Sequence, residues 1–426
     1  MRYLPLTDTD RNAMLSAIGV QHVNDLYEDV PEGAKRANDF NLPNHQGEIE
    51  VERHLNKLAA KNITASERPF FLGAGCYHHH VPATVDYIIQ RSEFLTSYTP
   101  YQPEIAQGTL MTIFQFQTMI ANITGQDVAN ASMYDGATAL AEAALMAIRV
   151  TKRNNIHVHG LLHPQYEALL HTYMRNYEDV HISAEAADEN TSCIIVQYPD
   201  FYGNVEALDA LRKQADEVGA LLVVVNTEIV ALGLLQAPSQ ADIVVGEAQS
   251  IGNAMSYGGP HLGYFACKQA YIRQMPGRLC GETVDEDGKI SYVLTLNTRE
   301  QHIRRDKATS NICSNQGLCA TAFTVHMGLL GEIGFKQLAQ LNHEKAILLA
   351  DALENVSGIK LLNQSFFNEF AIELSKPAQN VVAGLEKHNI TAGFVVNNNT
   401  MLLAVTELTT EDDIAQLATA LKEVLA

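Results

Sequence analysis

Basic residues are scarce in this chain of 426 residues. It contains 29 Lys and Arg against 49 Asp and Glu, which gives a formal net charge of −20. A protein of this sign repels phosphate backbones and anionic lipid headgroups, which argues against nucleic acid or a membrane surface as a partner. No apolar run approaches the length of a membrane span, although 46% of the residues are hydrophobic. The composition therefore predicts a soluble globular protein, long enough for a large core and two domains.

Paired cysteines are also missing. None of the six forms a C-x-x-C pair or a paired metal-ligand spacing, so we expect reduced thiols. The segment from Met1 to Asp8 has neither the apolar core of a secretory signal nor an Arg-rich and Ser-rich transit pattern. Both observations predict a cytoplasmic protein. The cysteines are Cys76, Cys193, Cys267, Cys280, Cys313 and Cys319.

Three consecutive histidines, His78 to His80, raise the question of a metal site. Adjacent side chains point in different directions on any regular backbone, and no Cys or carboxylate completes a ligand set nearby in the sequence. We therefore predict loop histidines, one of which lines a pocket, and no metal.

Lysine is absent from the longest stretch of predicted core. Ala220-Leu-Leu-Val-Val-Val-Asn226 predicts a fully buried strand, and Ala241-Asp-Ile-Val-Val-Gly246 predicts a second one. A glycine-rich turn, Tyr257 to Gly263, follows them. No Lys occurs between Lys213 and Lys268, so nothing in this stretch supplies an amine.

This layout resembles the core of the fold-type-I enzymes that use pyridoxal phosphate (PLP). In those enzymes the first strand ends in an Asp that pairs with the pyridinium nitrogen of the cofactor, and the second leads to the Lys that holds it as a Schiff base. Here Asn226 stands at the first position, and the second falls near Gln249 or Ser250. The resemblance therefore implies a PLP-type frame without its anchoring groups.

A helix predicted to begin at Gly136 corresponds to the one that cradles the cofactor phosphate in that superfamily. Asp135 directly precedes it. As an N-cap, the carboxylate of Asp135 would accept hydrogen bonds from the same backbone N–H groups and would repel a dianion. The sequence predicts a phosphate site that the protein itself has capped.

Strands alternate with helices from residue 66 to residue 315, which predicts a mainly parallel sheet with helices on both faces. The predicted fold is α/β, of the PLP-dependent transferase fold type I. It has an N-terminal helical arm (1–65), a large α/β domain with a mixed, mainly parallel sheet (66–315), and a long connecting helix with a small C-terminal α+β domain (316–426). No arginine follows Arg305, so the small domain lacks the residue with which many such enzymes bind a substrate carboxylate.

Two polar segments are candidates for contact with a substrate or partner. The first runs from Tyr98 to Gly108 and is fixed by two prolines ahead of an amphipathic helix; a helix anchor is the alternative interpretation. The second runs from Lys307 to Asn311, at the end of a basic cluster, Arg299 to Lys307. For this cluster, salt bridges to the acidic surface are the alternative interpretation. The candidate side chains are Tyr98, Tyr101, Gln102, Glu104, Gln107, Lys307, Thr309, Ser310 and Asn311.

Long motifs narrow the resemblance to one family, the glycine cleavage system P-proteins. The similarity covers essentially the whole chain, and the length matches the α subunit of the split bacterial form. The motifs are Thr99-Pro-Tyr-Gln-Pro-Glu-Ile-Ala-Gln-Gly108, Phe114-Gln-Phe-Gln-Thr118, Asp127-Val-Ala-Asn-Ala-Ser-Met-Tyr-Asp-Gly-Ala-Thr138, Gly246-Glu-Ala-Gln-Ser250, Gly258-Gly-Pro-His-Leu-Gly263 and Arg305-Asp-Lys-Ala-Thr-Ser-Asn-Ile-Cys313.

The resemblance implies PLP-dependent decarboxylation of glycine, with the aminomethyl group passed to the lipoyl group of H-protein. In that family the Schiff-base Lys and PLP belong to the β subunit, and the expected assembly is α2β2. This chain would then be inactive alone, would bind no cofactor covalently, and would complete the β subunit's site with the two polar segments.

Three alternatives remain open. Ala248-Gln-Ser250-Ile-Gly252 resembles a nucleophile elbow, which would indicate a hydrolase, but no helix pattern follows it. Lys268 or Lys307 could serve an autonomous PLP enzyme. The chain could also be a structural or regulatory subunit without any contact to an active site.

Overall fold

A computed structural model describes residues 6–36 and 40–426 of the chain. It divides into two units, Met1–Ile63 and Thr64–Ala426. Residues 1–5 and 37–39 of the predicted N-terminal arm lie outside the described residues. The first unit contains α1 (Asp8–Ile18), α2 (Glu48–Ala59) and two short 3-10 turns (Val23–Tyr27 and Glu32–Ala34). The division of the second unit at residue 316 stays a prediction.

The second unit alternates helices and strands over most of its length, as the sequence predicts. In chain order its elements are α3 (Ala83–Ile89), α4 (Ser92–Leu95), α5 (Gln107–Thr124), β1 (Val128–Ala129), α6 (Gly136–Thr151), β2 (Asn155–His159), α7 (Pro164–Met174), β3 (His181–Ser183), β4 (Thr191–Gln197), α8 (Asp209–Val218), β5 (Leu221–Asn226), β6 (Ile243–Glu247), β7 (Gly263–Cys267), β8 (Leu279–Val284), β9 (Ile290–Thr295), α9 (Gln301–Arg304), α10 (Gly317–Glu354), β10 (Ile359–Leu361), β11 (Glu369–Leu374), α11 (Ala378–Lys387), β12 (Phe394–Val395), β13 (Thr400–Ala404) and α12 (Glu411–Leu425).

Seven strands form one large sheet in the order β1-β7-β6-β5-β4-β2-β3. Strands β2 to β6 run parallel, whereas β7 is antiparallel to both of its neighbours. Every residue of β4, β5 and β6 is buried, because helices cover both faces of the sheet. Helices α5, α8 and α10 pack on one face, and α6 and α7 pack on the other. This is the predicted large α/β layout.

The carboxyl ends of the parallel strands meet at one edge of this sheet. Asn226 ends β5 beside Gly246, and Glu247 ends β6 beside Gly263, where the antiparallel β7 begins. The N-terminus of α6 reaches the same edge, since N–H of Gly136 bonds the side chain of Glu247. Open α/β sheets bind ligands at this edge.

A second sheet, of four antiparallel strands in the order β10-β11-β13-β12, lies near the C-terminus. Its strands pack against the second half of α10 and against α11 and α12, with Phe370, Leu403, Leu349 and Leu417 in the shared core. A two-stranded hairpin, β8 and β9, stands apart from both sheets and packs on α5.

The long helix α10 is the one described helix whose length and apolarity would allow it to cross a membrane. Its most apolar window has a mean hydropathy of 1.4, and half of that window is buried inside the protein. Buried residues such as Phe323 and Ala339 belong to the core beneath the large sheet. The burial indicates a core helix.

Candidate functional site

Asn226 ends β5, at the position where the sequence resemblance leads us to expect the Asp of the PLP superfamily. Its side chain is fully buried. The amide Nδ2 donates to the carbonyl oxygen of Tyr198 (2.9 Å), and Oδ1 accepts from the hydroxyl of Tyr264 (3.3 Å). Both ends of the amide are therefore satisfied by this chain, and no carboxylate is present to pair with a pyridinium nitrogen.

Gln249 and Ser250 lie where the Schiff-base Lys is expected. The Ser250 hydroxyl donates to Oε2 of Glu228 at 2.9 Å, and the Gln249 amide donates to the carbonyl of Asn253. The Sγ atom of Cys76 lies 3.8 Å from Oε1 of Gln249. Burial raises the pKa of the Cys76 thiol to about 11, so it stays neutral near pH 7. Nothing at this position can form an imine.

Two carboxylates bind the backbone donors at the N-terminus of α6. The predicted N-cap is confirmed: Asp135 accepts the N–H of Thr138 at 2.7 Å. Glu247 accepts the N–H of Gly136 at 3.1 Å, and also takes the N–H groups of Gln249 (3.0 Å) and Leu262 (2.8 Å). Burial raises the pKa of Glu247, and the hydrogen bonds oppose that rise. Two of the first N–H groups of α6, those of Gly136 and Thr138, are therefore already bonded and are not available to a cofactor phosphate.

A buried charged cluster lies beside Ser250. Nδ1 of His79 is 2.8 Å from Oε2 of Glu407, and Nε2 is 3.1 Å from Oε2 of Glu228. Glu407 also accepts the N–H of His80 at 2.6 Å and the amide of Asn342 at 3.2 Å. We call His79, Glu228 and Glu407 the buried triad. His79 lies in a loop and His78 lines a pocket, as the sequence predicts, but the burial of His79 between two carboxylates was not predicted.

The buried triad holds opposite charges. Burial lowers the pKa of His79, but the two carboxylates outweigh it and raise the value to about 10. Burial favours a neutral Glu407, yet the hydrogen bond and charge of His79 bring its pKa down to about 2. His79 is therefore an imidazolium whose two nitrogens both donate to carboxylates.

The segment from Gly73 to His80 covers this edge of the sheet. Its backbone accepts a hydrogen bond from Nε2 of His163 at the carbonyl of Ala74 (2.9 Å). From below, Glu369 accepts the N–H of Ala74 at 2.6 Å and the hydroxyl of Tyr77 at 2.8 Å. Burial raises the pKa of Glu369 to about 7, against the effect of those two bonds. The two hydrogen bonds of Glu369 fix the segment next to Gln249 and Ser250.

The residues at this edge do not fit PLP. Within residues 6–36 and 40–426, this edge has no amine, no carboxylate for the pyridinium nitrogen and no free pair of donors at the start of α6. Asn226, Glu247 and Ser250 bond the chain's own groups instead. We call these residues and the buried triad the sheet-edge site.

Most of the first polar segment is exposed. Tyr98 is 77% exposed, and Tyr101, Gln102 and Glu104 are also on the surface. Gln107 is not available in the same way, because it bonds both the N–H and the carbonyl of Tyr292 in β9 (2.9 Å each). That side chain anchors the start of α5 to the hairpin, which is the alternative the sequence left open.

The second polar segment divides similarly. Lys307 and Asn311 are exposed. The hydroxyl of Ser310 accepts the N–H of Ile312 at 3.1 Å, and the backbone N–H of Thr309 donates to the carbonyl of Arg299. The exposed members are the ones free to contact another molecule.

Arg278 connects Tyr101 of the first polar segment to Glu300, which lies in the basic cluster Arg299 to Lys307. Its Nη2 donates to the hydroxyl of Tyr101 at 2.9 Å, and its Nε lies 3.4 Å from Oε2 of Glu300. The ring of His302 meets that of Tyr101 edge-on, with centroids 5.5 Å apart. Sequence reasoning assigned no role to Arg278 or Glu300. Pro276-Gly-Arg278, a turn followed by a strand, was the available signal.

The geometry does not favour the hydrolase alternative. Ser250 is 3% exposed and bonds a carboxylate, and residues 249–262 form turns where an elbow needs a helix. The alternative lysines lie elsewhere. Lys268 follows β7 beside Ile243, at the opposite end of β6 from Glu247, and bonds the carbonyl of Ser239.

Comparisons with known proteins agree with this geometry. Residues 1–421 match the glycine cleavage system P-protein family. A protein of Caulobacter vibrioides (strain NA1000 / CB15N), "Probable glycine dehydrogenase (decarboxylating) subunit 1", is 53% identical over 449 residues and is covered, like this chain, over its full length.

Solved structures agree as well. A crystal structure of glycine decarboxylase (P-protein) of the glycine cleavage system, in inhibitor-bound form, has a TM-score of 0.93 and 40% identity over 100% of both chains. A variant of the enzyme C-DES with glycine linked covalently to its PLP cofactor shares the fold alone (TM-score 0.61, 14% identity, 84% of this chain and 97% of that chain). The predicted fold type I is confirmed, and the chain belongs to the glycine cleavage system P-protein family.

Proposed function

We propose that this chain is the α subunit of a glycine decarboxylase of the glycine cleavage system. With a β subunit, it takes part in PLP-dependent decarboxylation of glycine, release of CO2 and transfer of the aminomethyl group to the lipoyl group of H-protein. The full-length similarity to a protein named glycine dehydrogenase subunit 1 supports this role. One observation supports it most: among the described residues, the polar groups of the sheet-edge site bond one another and none of them is an amine. Schiff-base chemistry would therefore need a second chain.

The cofactor in this proposal is held by the β subunit, and none is bound covalently by this chain. PLP supplies the electron sink for decarboxylation when bound there. The proposed assembly is α2β2 in the cytoplasm. In this assembly the two subunits share one fold, and a pseudo-two-fold arrangement brings equivalent faces of this chain and of the β subunit together.

This chain's contribution is to pack against the β subunit and to order its pocket. The exposed members of the two polar segments are the proposed contacts, above all Tyr98, Lys307 and Asn311. Arg278 joins Tyr101 to Glu300 in the basic cluster that ends at Lys307, and we propose that the exposed residues of both segments form one surface. This surface is proposed to reach the neighbouring active site.

Mixing the separately purified subunits tests the proposal. We expect no glycine decarboxylation by this chain alone with PLP and lipoylated H-protein, and steady CO2 release once the β subunit is added. Exchange of labelled bicarbonate into glycine is the measurement. Steady turnover by the isolated chain, or covalent pyridoxyl-lysine after borohydride reduction of it, would overturn the assignment.

Exposed members of the polar segments allow a sharper test in the reconstituted complex. We expect Lys307→Met to lower kcat roughly 10- to 150-fold, since a charge-assisted hydrogen bond contributes about 1.5–3 kcal/mol. Tyr98→Ala is expected to lower it too, while neither change affects unfolding of the isolated chain. The complex should still assemble in gel filtration.

Matched controls are Lys213→Met and Tyr177→Ala, which are also exposed. They should leave kcat unchanged. If the Lys307 and Tyr98 variants retain full turnover, this chain is a structural subunit without active-site contact.

A further inference from the structure

The second unit contains a basic cavity away from the sheet-edge site. Its volume is about 340 Å³, and no carboxylate lines it. Five cationic side chains do, in a chain whose net charge is −20. We call this the basic cavity; its cations are Arg149, Arg273, Arg299, Arg304 and Lys307.

Within the described residues, none of the five cations of the basic cavity forms an ion pair. The side chains of Arg273, Arg304 and Lys307 also have no hydrogen-bond partner anywhere in residues 6–36 and 40–426. Arg299 donates to the backbone carbonyls of Met275 and Gly277, which are neutral acceptors.

Arg149 gives a second, independent observation. Its Nη2 bonds the carbonyl of Gln274, but its buried Nε has no partner among the described residues. The carboxylates that act on the two inner arginines are Glu142, near Arg149, and Glu300, near Arg299, and neither lines the cavity. Positive charge therefore exceeds negative charge here.

The basic cavity is separate from the sheet-edge site. Helix α6 begins at Gly136, beside Glu247, and Arg149 lies in its last turn. Thirteen residues of helix separate the two by roughly 20 Å. A ligand in the cavity would not compete with the groups of the sheet-edge site.

We propose that the basic cavity binds a small phosphate-bearing anion. Guanidinium groups bind phosphate oxygens through paired, charge-assisted hydrogen bonds, and Lys adds a point charge. The volume falls at the lower end of the range of about 300–1,000 Å³ typical of small-molecule sites, which suits a phosphate ester. An anion would also relieve the mutual repulsion of five cations. Lys307 also belongs to the proposed partner surface, whereas the other four cations have no part in the proposed catalytic role.

Titration of inorganic phosphate into the full-length purified chain tests this proposal by calorimetry, at constant ionic strength set with chloride. We expect saturable binding at one site. The double variant Arg273→Gln/Arg304→Gln should bind at least about tenfold more weakly, because two direct donors are lost. Both side chains are exposed, so the fold is retained, and circular dichroism verifies it.

The control Lys387→Gln/Lys422→Gln removes the same charge from exposed positions on α11 and α12. It should bind phosphate like the parent chain. Absence of saturable binding overturns the proposal, and so does equal weakening in both double variants, which would indicate general screening. Because the readout is binding and not turnover, the outcome is independent of the decarboxylase assignment.

Discussion

Replacing His79 with leucine is expected to lower the free energy of unfolding of this chain by about 3–5 kcal/mol. The imidazolium lies between Glu228 and Glu407 at 3.1 and 2.8 Å, and all three groups are largely removed from water. Its loss leaves two buried carboxylates facing each other without a cation. Urea denaturation near pH 7, followed by circular dichroism, measures the change.

His388→Leu is the matched control. Nε2 of His388 lies 3.7 Å from Oε2 of Glu423, but both side chains are solvent-exposed. An exposed pair contributes less than about 1 kcal/mol, so this variant should unfold like the parent. Equal effects of the two substitutions would contradict a stabilising buried triad.

The pH dependence follows from the same cluster. The pKa of His79 is raised from 6.5 to about 10 by folding, so the stability it provides is complete below pH 6.5 and declines as the pH rises to 10. Glu407, with a pKa lowered from 4.5 to about 2, provides stability above pH 4.5 that is lost as the pH falls to 2. His79→Leu should flatten the decline on the alkaline side. Parallel curves for parent and variant would contradict the assignment.

Truncating Glu247 to alanine is expected to cost about 3 kcal/mol or more. Three backbone N–H groups, those of Gly136, Gln249 and Leu262, lose their acceptor in a buried setting, and each unsatisfied donor costs about 1–3 kcal/mol. The variant no longer has to bury the carboxylate of Glu247, which offsets part of this loss. The net decrease in stability is therefore near the low end of the sum for three donors. Thermal unfolding of the isolated chain measures it.

Phosphate provides a specific rescue. With Glu247 removed, the freed donors at the start of α6 resemble an ordinary helix N-terminal anion site. Inorganic phosphate should therefore stabilise the variant more than it stabilises the parent. The increase in stability of the parent measures the contribution of phosphate bound in the basic cavity. Glu206→Ala, at a carboxylate 57% exposed, is the control and should show neither effect. An equal phosphate increment in parent and Glu247→Ala would contradict the view that a carboxylate replaces the phosphate.

Local patterns predicted the frame of this protein well. The unbroken apolar run before Asn226 is β5, Asp135 caps α6, and the long helix expected near residue 316 begins at Gly317. Each of these depends on neighbours within a few residues. The hairpin β8–β9 was missed, although Asp287-Gly288 between two strands is a turn signal.

Long-range partners could not be predicted in the same way. His79 bonds residues 149 and 328 positions away, so its role depends on how the sheet and the C-terminal strands fold together. Glu247 was part of a quoted motif, yet only the folded chain places it against Gly136. Gln107 was predicted, with its neighbours, as a contact to a substrate or partner. Instead it bonds Tyr292 in β9, a strand that the sequence did not reveal.

The two carboxylates at the start of α6 would oppose the introduction of a cofactor site by mutation, because they already bond its backbone donors. A lysine introduced at Ser250 would bring an amine beside Oε2 of Glu228, which already bonds His79, and the start of α6 would still lack a free pair of donors for a phosphate. Removing Glu247 first would strand its backbone donors before any cofactor arrived. Neither substitution alone would create a cofactor site, so in the proposed assembly the cofactor stays with the β subunit.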